Sequence, residues 1–321
     1  MIFPPAAQST RIARKKSPKK VLTPRDSPHR YPIMTGRFFS TIISTLTAAA
    51  ALAVCASCAS QNCAAPQPQK HRKVAFHAYV FKDVATLEDV VKAAEQMGVD
   101  GVVCSQTIKL AKYPNTRFSP DMNAEQRAYV KKLFSDAKLE IPSFGIGGDF
   151  KKPEDADKYL SFCREMGIPF FTWEGDYKNL PALDKKAAQY GVKIAVHHHT
   201  AEYNKQNLYN KPEGMLSRIK DFKNIFAIVD NGHWAREKTD ITRGYKTLGK
   251  KIALLHFKDT AKFGAKEKTD VPLGTGCLDL PAMIATLDEI GFDGYFVLEN
   301  ETCFKNPYPA MRESVKYLRG H

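Results

Sequence analysis

The chain has 321 residues, of which 43% are hydrophobic and 26% are charged, a balance that is typical of soluble folded proteins and excludes disorder along the whole length. Glycine and proline number 19 each and cysteine 7, which excludes collagen-like, low-complexity and disulfide-scaffold classes. The length allows one large domain or two medium ones with a substantial core.

Half of the net charge of +14 lies in residues 1–33, which contain eight basic side chains and one acidic side chain, Asp26. A basic segment can bind nucleic acid, but this one contains no recognisable binding motif, so we expect no nucleic-acid partner. Because the segment is rich in proline and has no hydrophobic periodicity, we predict a disordered extension or a mis-assigned translation start.

Residues 34–60 have the layout of a secretory signal peptide. Met34 is followed by one basic residue, Arg37, and then by an apolar run over residues 38–54. This run is shorter than the roughly 20 apolar residues that a membrane-spanning helix needs. We therefore expect a signal peptide and an exported protein.

Two small residues precede Cys58, as they do at the acylation site of bacterial lipoproteins. The alternative is a plain signal peptide that is cleaved among the small residues before position 61. The first interpretation attaches the protein to a membrane through a lipid anchor, and the second releases it into the periplasm. Residues 61–72 are predicted to be a polar linker in either case.

From residue 73 onward, short apolar segments alternate with longer amphipathic ones, which indicates alternating strands and helices. The short segments are rich in Val, Ile and Phe, as buried parallel strands are. The predicted strands are 74–79, 101–104, 141–146, 169–173, 193–197, 226–230, 252–256 and 295–299. The predicted helices are 87–97, 124–137, 153–166, 182–190, 212–222, 239–248, 281–290 and 308–318.

Eight strands and eight helices over residues 73–321 match the size and the element count of a (β/α)8 TIM barrel. A doubly wound α/β sheet is the competing fold and would need a glycine-rich phosphate loop after the first strand. Residues 80–83, which follow that strand, read Val-Phe-Lys-Asp and contain no glycine. We therefore predict an α/β fold, with a TIM barrel after the N-terminal extension and signal peptide.

Charged and imidazole side chains follow five consecutive predicted strands, from the fourth to the eighth. Because barrel enzymes use the carboxyl ends of their strands, we expect these side chains to meet at one rim. Carboxylate and imidazole ligands without thiolates favour Mn²⁺, Zn²⁺, Co²⁺ or Fe²⁺, whereas Mg²⁺ prefers oxygen. A central cation would also offset the repulsion among the carboxylates. The strand-end residues are Glu174, His197, His198, His199, Asp230, His233, His256, Lys258, Glu299 and Glu301.

Motifs around these strand ends resemble those of the sugar phosphate isomerase/epimerase family with the xylose-isomerase-like barrel. They occur in order and at barrel spacing, and the resemblance covers the body of the chain from residue 73 to residue 318. The similar segments are 193–199 (ending in H-x-H), 230–233 (D-x-G-H), 256–259 (H-x-K-D), 272–276 (P-L-G-x-G) and 294–299 (a last strand that ends in glutamate).

This resemblance implies one divalent metal ion, which could be Mn, Zn, Co, Fe or Mg, and a polyol, ketose or keto-sugar as the substrate. Carried over by motif, the metal ligands are Asp230, His256 and Glu299. The resemblance therefore implies a metal site that draws on the sixth, seventh and eighth predicted strands.

The fourth ligand is where the chain departs from the family pattern. Many members have a glutamate at the position of His197, which leaves either Glu174 or a histidine of the His197/His199 pair. We favour Glu174 as the ligand, with His197 and His199 facing the substrate. These two histidines are two residues apart and share a face if the strand extends that far, whereas His198 points away and is predicted to be structural.

A metal in such a site acts as a Lewis acid and stabilises the enediolate that forms when a proton leaves the carbon next to a carbonyl. The base must be a carboxylate or an imidazole within hydrogen-bonding reach. Glu174, Glu301 and His233 are the candidates, and each could instead orient a ligand through a hydrogen bond.

Two further residues at the predicted rim have alternative roles. Lys258 could contact a developing oxyanion or hold the carboxylate of Asp259. His77, in the first predicted strand, could bind substrate or line the core. We include Lys258 among the catalytic candidates and His77 among the substrate-binding candidates.

The fate of the enediolate decides the reaction. Return of a proton on the other face gives an epimerase, return at the neighbouring carbon gives an isomerase, and loss of a β-substituent gives a lyase or dehydratase. We expect a metal-dependent isomerase or epimerase that acts on a free or oxidised sugar. The alternatives are a keto-sugar lyase, an endonuclease with three metal ions on the same barrel, and a catalytically silent sugar-binding lipoprotein.

Overall fold

The computed structural model describes residues 70–150, 153–202 and 209–321. The predictions of an N-terminal extension, a signal peptide and a lipid anchor concern residues outside these ranges. The predicted linker also lies outside them, apart from residues 70–72. Within the described ranges, no helix has both the length and the apolar character that crossing a bilayer requires.

Eight parallel strands close into a barrel, which confirms the predicted TIM-barrel fold. The strands of the described residues are β1 (Val74–His77), β2 (Gly101–Ser105), β3 (Ser143–Gly145), β4 (Phe170–Trp173), β5 (Lys193–His197), β6 (Ile225–Asp230), β7 (Ile252–His256), β8 (Asp259–Thr260), β9 (Asp270–Val271) and β10 (Tyr295–Leu298). The ring runs from β1 through β7 to β10, which pairs with β1. β8 and β9 form a separate antiparallel pair.

Helices surround the barrel and connect its strands. In the described part of the chain they are α1 (Leu87–Met97), α2 (Ala124–Asp136), α3 (Ala156–Met166), α4 (Leu180–Tyr190), α5 (Pro212–Ile219), α6 (Asn231–Arg236), α7 (Ile241–Leu248), α8 (Leu280–Glu289) and α9 (Tyr308–Arg319). Eight of these overlap the predicted helices. The sequence does not predict α6, and the segment predicted as helix from residue 153 begins with a 3₁₀ turn, Pro153–Asp155.

Local sequence signals set the ends of the helices. At the start of α1, the Thr86 hydroxyl accepts a hydrogen bond from the Asp89 N–H, and the Asp89 carboxylate accepts one from the Thr86 N–H, which forms a capping box. Gly98 ends this helix with a φ of +67°, a left-handed conformation that favours glycine. Each such helix end returns the chain to the amino-terminal end of the next strand.

The hydrophobic core has two parts. Between barrel and helices lies a large cluster that includes Phe118, Phe144, Phe162 and Phe171. The Phe144 ring lies 5.2–6.2 Å from the other three, centroid to centroid. A smaller cluster fills the barrel interior and comprises Ala75, Val103, Ala195, Ile228, Ala253, Leu254, Tyr295 and Val297. Because the interior is packed, the polar strand-end residues form a layer above it at the rim.

Ion pairs attach the beginning of the barrel to its last two helices. The guanidinium of Arg72 is buried and donates to both carboxylate oxygens of Asp288 in α8, at 2.8 Å each. These bonds lower the pKa of Asp288 to about 2. Arg319, in α9, donates to the Arg72 carbonyl at 2.6 Å and to the Asp100 carboxylate at 2.8 Å.

Candidate metal centre

A cavity of about 580 Å³ opens at the rim formed by the carboxyl ends of the barrel strands. Imidazoles and carboxylates contribute much of its wall. The titratable residues that line it include His77, Glu174, His197, His199, His233, His256, Glu299 and Glu301. Seven of the ten strand-end residues identified in the sequence therefore line one cavity.

Strand register brings three predicted metal ligands together. β6 pairs with β7 so that Asp230 lies beside His256, and β10 pairs with β7 so that Val297 lies beside His256. Glu299 follows Val297 by two residues and extends on the same side of the chain. Asp230, His256 and Glu299 each offer a ligand atom, and these atoms lie within 4.8 Å of one another.

The carboxylate of Asp230 is fully buried at the centre of this group. Its Oδ1 accepts a hydrogen bond from the His233 N–H at 3.0 Å, which caps α6. Its Oδ2 lies 3.6 Å from His256 Nδ1 and 3.8 Å from His197 Nε2. His256 Nδ1 in turn lies 3.0 Å from Glu299 Oε2. One oxygen of Asp230 therefore stabilises the helix, while the other faces two imidazoles.

These buried atoms fit a divalent metal ion. Asp230 Oδ2, His256 Nδ1 and His197 Nε2 form no hydrogen bond of regular geometry within the described ranges, although Lys258 Nζ lies 2.8 Å from Asp230 Oδ2 and Glu299 Oε2 lies 3.0 Å from His256 Nδ1. Separations of about 3.0–3.5 Å are expected between neighbouring atoms that share a cation at about 2.0–2.2 Å. Burial without a well-aligned hydrogen bond is unfavourable for a polar atom, and a cation shared by the three atoms would offset that cost.

Lys258 places a positive charge inside the group. Its Nζ lies 2.8 Å from Asp230 Oδ2, 2.9 Å from Glu299 Oε2 and 3.1 Å from Glu301 Oε2. Burial lowers the pKa of Lys258, but the three carboxylates raise it well above its usual value. One ammonium against three carboxylates leaves a charge of −2, which a divalent cation would balance.

Asp259 has partners other than the neighbouring lysine. Its carboxylate accepts hydrogen bonds from the N–H groups of Gly274 at 3.0 Å, Gly276 at 2.8 Å and Leu278 at 3.2 Å. The structure therefore assigns Asp259 to the loop over residues 272–278. Lys258 pairs with the carboxylates of the centre instead.

Glu174, the predicted fourth ligand, lies in a different group. Its Oε1 is 2.9 Å from His197 Nδ1, and its Oε2 is 3.1 Å from His199 Nε2. Burial raises the pKa of Glu174, but the bonds with the two histidines outweigh it and hold the pKa well below its usual value. The structure thus groups Glu174 with His197 and His199.

His197 connects the two groups. Its Nδ1 faces Glu174, and its Nε2 faces Asp230. Burial lowers the pKa of His197, but Asp230 and Glu174 raise it to about 10. The negative field at this ring therefore favours a positive charge, carried either by a proton or by a cation at a ring nitrogen.

His77 and Glu301 lie at the edge of the centre. His77 Nδ1 accepts a hydrogen bond from the Tyr79 N–H at 3.1 Å, and its Nε2 is 3.9 Å from Glu299 Oε1. Burial lowers the pKa of His77 to about 4, so its ring is neutral at pH 7. Glu301 contacts Lys258 and also the Lys268 ammonium. Both residues line the cavity, as the sequence predicts.

His233 lies between the centre and an arginine. Its Nε2 is 3.4 Å from Asp230 Oδ2, and its Nδ1 contacts the Arg236 guanidinium. Burial holds the pKa of His233 well below its usual value. Because a guanidinium can only donate, Nδ1 is the acceptor and the proton of the neutral ring is on Nε2.

His198 faces away from the cavity. Its Nε2 accepts a hydrogen bond from the Asp230 N–H at 3.1 Å, and its ring stacks on Trp234 with the centroids 5.3 Å apart. Burial lowers the pKa of His198 to about 3. The neutral ring therefore supports the backbone that presents Asp230.

Two residues that support the centre are not identified in the sequence. Asn231 donates from Nδ2 to the Lys258 carbonyl at 2.7 Å and accepts from the Lys258 N–H at 2.9 Å. Gly232 leaves room for the lysine, since a Cβ there would lie 2.7 Å from Lys258 Cδ. Both residues belong to the D-x-G-H segment, which marks them as neighbours of Asp230. Their contact with Lys258 could not be predicted, because it depends on the pairing of β6 with β7.

Comparisons with known proteins give one family. A family model described as the xylose isomerase-like TIM barrel matches residues 91–321. The chain is 25% identical to an inosose dehydratase of Lacticaseibacillus casei over 176 residues, 47% of this chain and 56% of that protein. It is 23% identical to an inosose isomerase of Bacillus licheniformis over 243 residues, 68% of this chain and 87% of that protein. The chain thus spans about half the length of the dehydratase.

A solved structure has the same fold. The crystal structure of the IOLI protein with a bound zinc atom superimposes with a TM-score of 0.64 and 19% identity. The superposition covers 77% of this chain and 96% of that chain. The likeness at this level of identity concerns the barrel architecture.

Proposed function

The chain belongs to the xylose isomerase-like TIM barrel family, and we propose that it is a divalent-metal-dependent isomerase or epimerase of a free or oxidised sugar. The observation that carries the proposal is the convergence of Asp230, His256 and Glu299 at the rim. Relatives named inosose isomerase and inosose dehydratase support a sugar-modifying activity. Because an inosose is a cyclic polyol with one ketone, we propose a polyhydroxy ketone as the substrate.

Asp230, His256 and Glu299 would hold the cation, which we propose to be one Mn²⁺, Zn²⁺, Co²⁺, Fe²⁺ or Mg²⁺ ion. Mixed imidazole and carboxylate ligands suit the borderline ions of this set, and zinc is bound in the similar IOLI protein. A divalent cation there supplies Lewis acidity, which stabilises an anion formed next to a carbonyl group.

Side chains on two sides of the cavity can move the proton. Glu301 follows β10, and His199, which bonds with Glu174, follows β5 on the other side of the ring. Burial raises the pKa of Glu301, but Lys258 lowers it below its usual value, so Glu301 is ionised at pH 7 and can accept a proton. Groups on two sides can take a proton from one face and return it to the other face or to the next carbon.

The same residues could serve a dehydratase, which is the second candidate. In that reaction the carbon loses its proton to the base, and a hydroxyl on the next carbon leaves as water with a returned proton. The observation that favours it is the relative named inosose dehydratase, which this chain matches over 56% of that protein.

We also propose that the protein works outside the cytoplasm on substrates without a phosphate group. The signal-peptide layout of residues 34–60 supports this location. A free sugar, a glycoside or an oxidised sugar from polysaccharide breakdown is then the substrate class.

Proton–deuterium exchange tests the proposed chemistry. The protein is incubated in D₂O with ketoses, inososes and 3-keto-sugars, with Mn²⁺ or Zn²⁺ added, and proton NMR records deuterium that enters a substrate carbon. We expect exchange with metal and none after treatment with EDTA. No exchange across the panel would contradict the isomerase and favour a sugar-binding protein, and about three metal ions per chain would favour the endonuclease.

A matched pair of variants connects the exchange to the centre. Asp230→Asn keeps an oxygen that can cap α6 but removes the charge at Oδ2, so metal binding and exchange should be lost. Asp240→Asn changes the residue that caps α7 in the same way, outside the cavity, and should exchange like the wild type. A metal-free and active Asp230→Asn protein would contradict the proposed function.

A further inference from the structure

His197 lies between two groups of polar side chains, and its contacts give it a defined orientation. The residue ends β5, and its side chain is 5% exposed. Nδ1 is 2.9 Å from Glu174 Oε1 on one side of the ring, and Nε2 is 3.8 Å from Asp230 Oδ2 on the other. The imidazole therefore lies between the carboxylate of Glu174 and that of Asp230, which is one of the proposed metal ligands.

The partner of Nδ1 determines which nitrogen can bind a cation. An ionised carboxylate accepts hydrogen bonds and cannot donate, so the bond with Glu174 requires a proton on His197 Nδ1. The lone pair of the neutral ring is then on Nε2, which faces Asp230. Metal-binding histidines commonly donate their other N–H to a carboxylate in this way.

Other histidines at the rim have the opposite arrangement. His233 and His77 each use Nδ1 as an acceptor, from Arg236 and from the Tyr79 N–H respectively. Their neutral rings therefore have the proton on Nε2, the nitrogen that faces the carboxylates. These two histidines can donate to the centre, but they do not present a lone pair to it.

Glu174 is held in place by both of its oxygens. Oε1 bonds with His197, and Oε2 bonds with His199 at 3.1 Å. The Glu174 carboxylate therefore lies on the side of the His197 imidazole that is away from Asp230. It forms a group of possible ligands with His197 and His199.

We propose that His197 Nε2 is the fourth ligand of the centre and that Glu174 is a positioning residue which fixes its tautomer and direction. The proposal rests on the proposed function, because it assumes a cation at Asp230, His256 and Glu299. The resulting ligand set has two imidazoles and two carboxylates. Compared with a set in which a glutamate replaces His197, it carries one negative charge less and favours Zn²⁺ or Co²⁺ over Mg²⁺.

X-ray absorption at the zinc edge counts the imidazoles directly. Untagged protein is stripped with EDTA, loaded with one equivalent of Zn²⁺ and measured without substrate. We expect scattering from two imidazoles in the wild type and from one in His197→Glu. A wild-type spectrum with one imidazole would overturn the proposal, while failure of the wild type to bind any divalent cation would instead overturn the proposed function.

Calorimetric titration separates a positioning role of Glu174 from direct ligation. Glu174→Gln should weaken Zn²⁺ binding about 10–100-fold, as loss of a carboxylate behind a ligand does, and should leave a measurable affinity. Glu202→Gln removes the same charge from the same cavity and should bind Zn²⁺ like the wild type. If Glu174→Gln loses Zn²⁺ as completely as Asp230→Asn does, Glu174 is itself the ligand and the proposal is wrong.

The His197→Glu variant tests the inferred metal preference. It replaces an imidazole nitrogen with a carboxylate oxygen, so the ratio of Mn²⁺ to Zn²⁺ affinity should rise relative to the wild type. An unchanged ratio, with the variant folded by circular dichroism, would contradict a role of His197 in metal choice.

Discussion

Lys258 brings a buried positive charge to the carboxylates of the centre. Its ammonium contacts three carboxylates, and its side chain is 1% exposed. Removal of one partner from a buried ionic group is costly because the remaining charges stay desolvated. Lys258 and the proposed divalent cation would therefore act on the same carboxylates, and either one offsets part of their negative charge.

Replacement of this lysine tests the charge balance. We expect Lys258→Met to lower the free energy of unfolding by about 3–5 kcal/mol in the presence of EDTA, and we expect added Zn²⁺ to restore part of the loss. Urea denaturation measures both effects. Lys262→Met, at an exposed position nearby, should change the free energy by less than about 0.5 kcal/mol. Equal stability of Lys258→Met and the wild type in EDTA would contradict the assigned role.

The sequence could predict which residues lie at the rim, but it could not predict which of them contact one another. Predicted strand ends at 173, 197, 230 and 256 are the observed ends of β4 to β7, because the apolar runs stop there. Which ends become neighbours depends on register. Trp173 pairs with Val196, which sets Glu174 beside His197, and a slip of one residue would turn these side chains to the other face.

At the level of elements, the length of a helix or strand determines whether it can be predicted from the sequence. α1 has 11 residues with a capping box and was predictable over its full span. α6 has six residues and begins directly after β6, and β8 and β9 have two residues each. Elements this short do not complete a hydrophobic period. They depend on tertiary contacts instead, such as the Asp230 cap of α6 and the Asp259 carboxylate that holds residues 272–278.

The contact between Arg72 and α8 predicts a pH dependence of stability. The pKa of Asp288 falls from 3.8 to about 2 on folding, so its ion pair stabilises the protein above pH 4 and loses its effect as the pH falls toward 2. The carboxylate is 37% exposed, so solvent screening limits the effect to about 1 kcal/mol. Asp288→Asn should therefore be destabilised by that amount at pH 7 and by less at pH 3.

Urea denaturation at both pH values measures the difference. Asp83→Asn, which removes the partner of Lys82 at an exposed position, is the control and should match the wild type at pH 7 and pH 3. A difference between Asp288→Asn and the wild type that persists unchanged at pH 3 would contradict the ionic origin of the effect.

At the level of the whole molecule, the barrel was predictable because its eight units repeat. Each unit combines a short apolar strand with an amphipathic helix, and eight such units close a ring. The cavity was not predictable in shape, because its walls include loop residues such as Gln106 and Lys266, which no periodicity places. The proposed cellular location rests on the sequence pattern of residues 34–60.

Lipid labelling distinguishes a lipid-anchored protein from one that is released into the periplasm. When the full chain is expressed in a bacterial host with radiolabelled palmitate, the protein should take up label, and Cys58→Ala should not, because the acylated thiol is missing. Cys63→Ala, in the predicted linker, should be labelled like the wild type. Export of an unlabelled wild-type protein would show that the segment is a plain signal peptide.

The two tryptophans of the chain, Trp173 and Trp234, are each adjacent in sequence to a residue of the rim. Trp173 precedes Glu174, and Trp234 follows His233 and stacks on the ring that supports Asp230. Both indoles are buried. The tryptophan fluorescence of the folded protein therefore originates next to residues of the rim, and the proposed binding of a cation or a sugar can be tested by this emission without an attached dye.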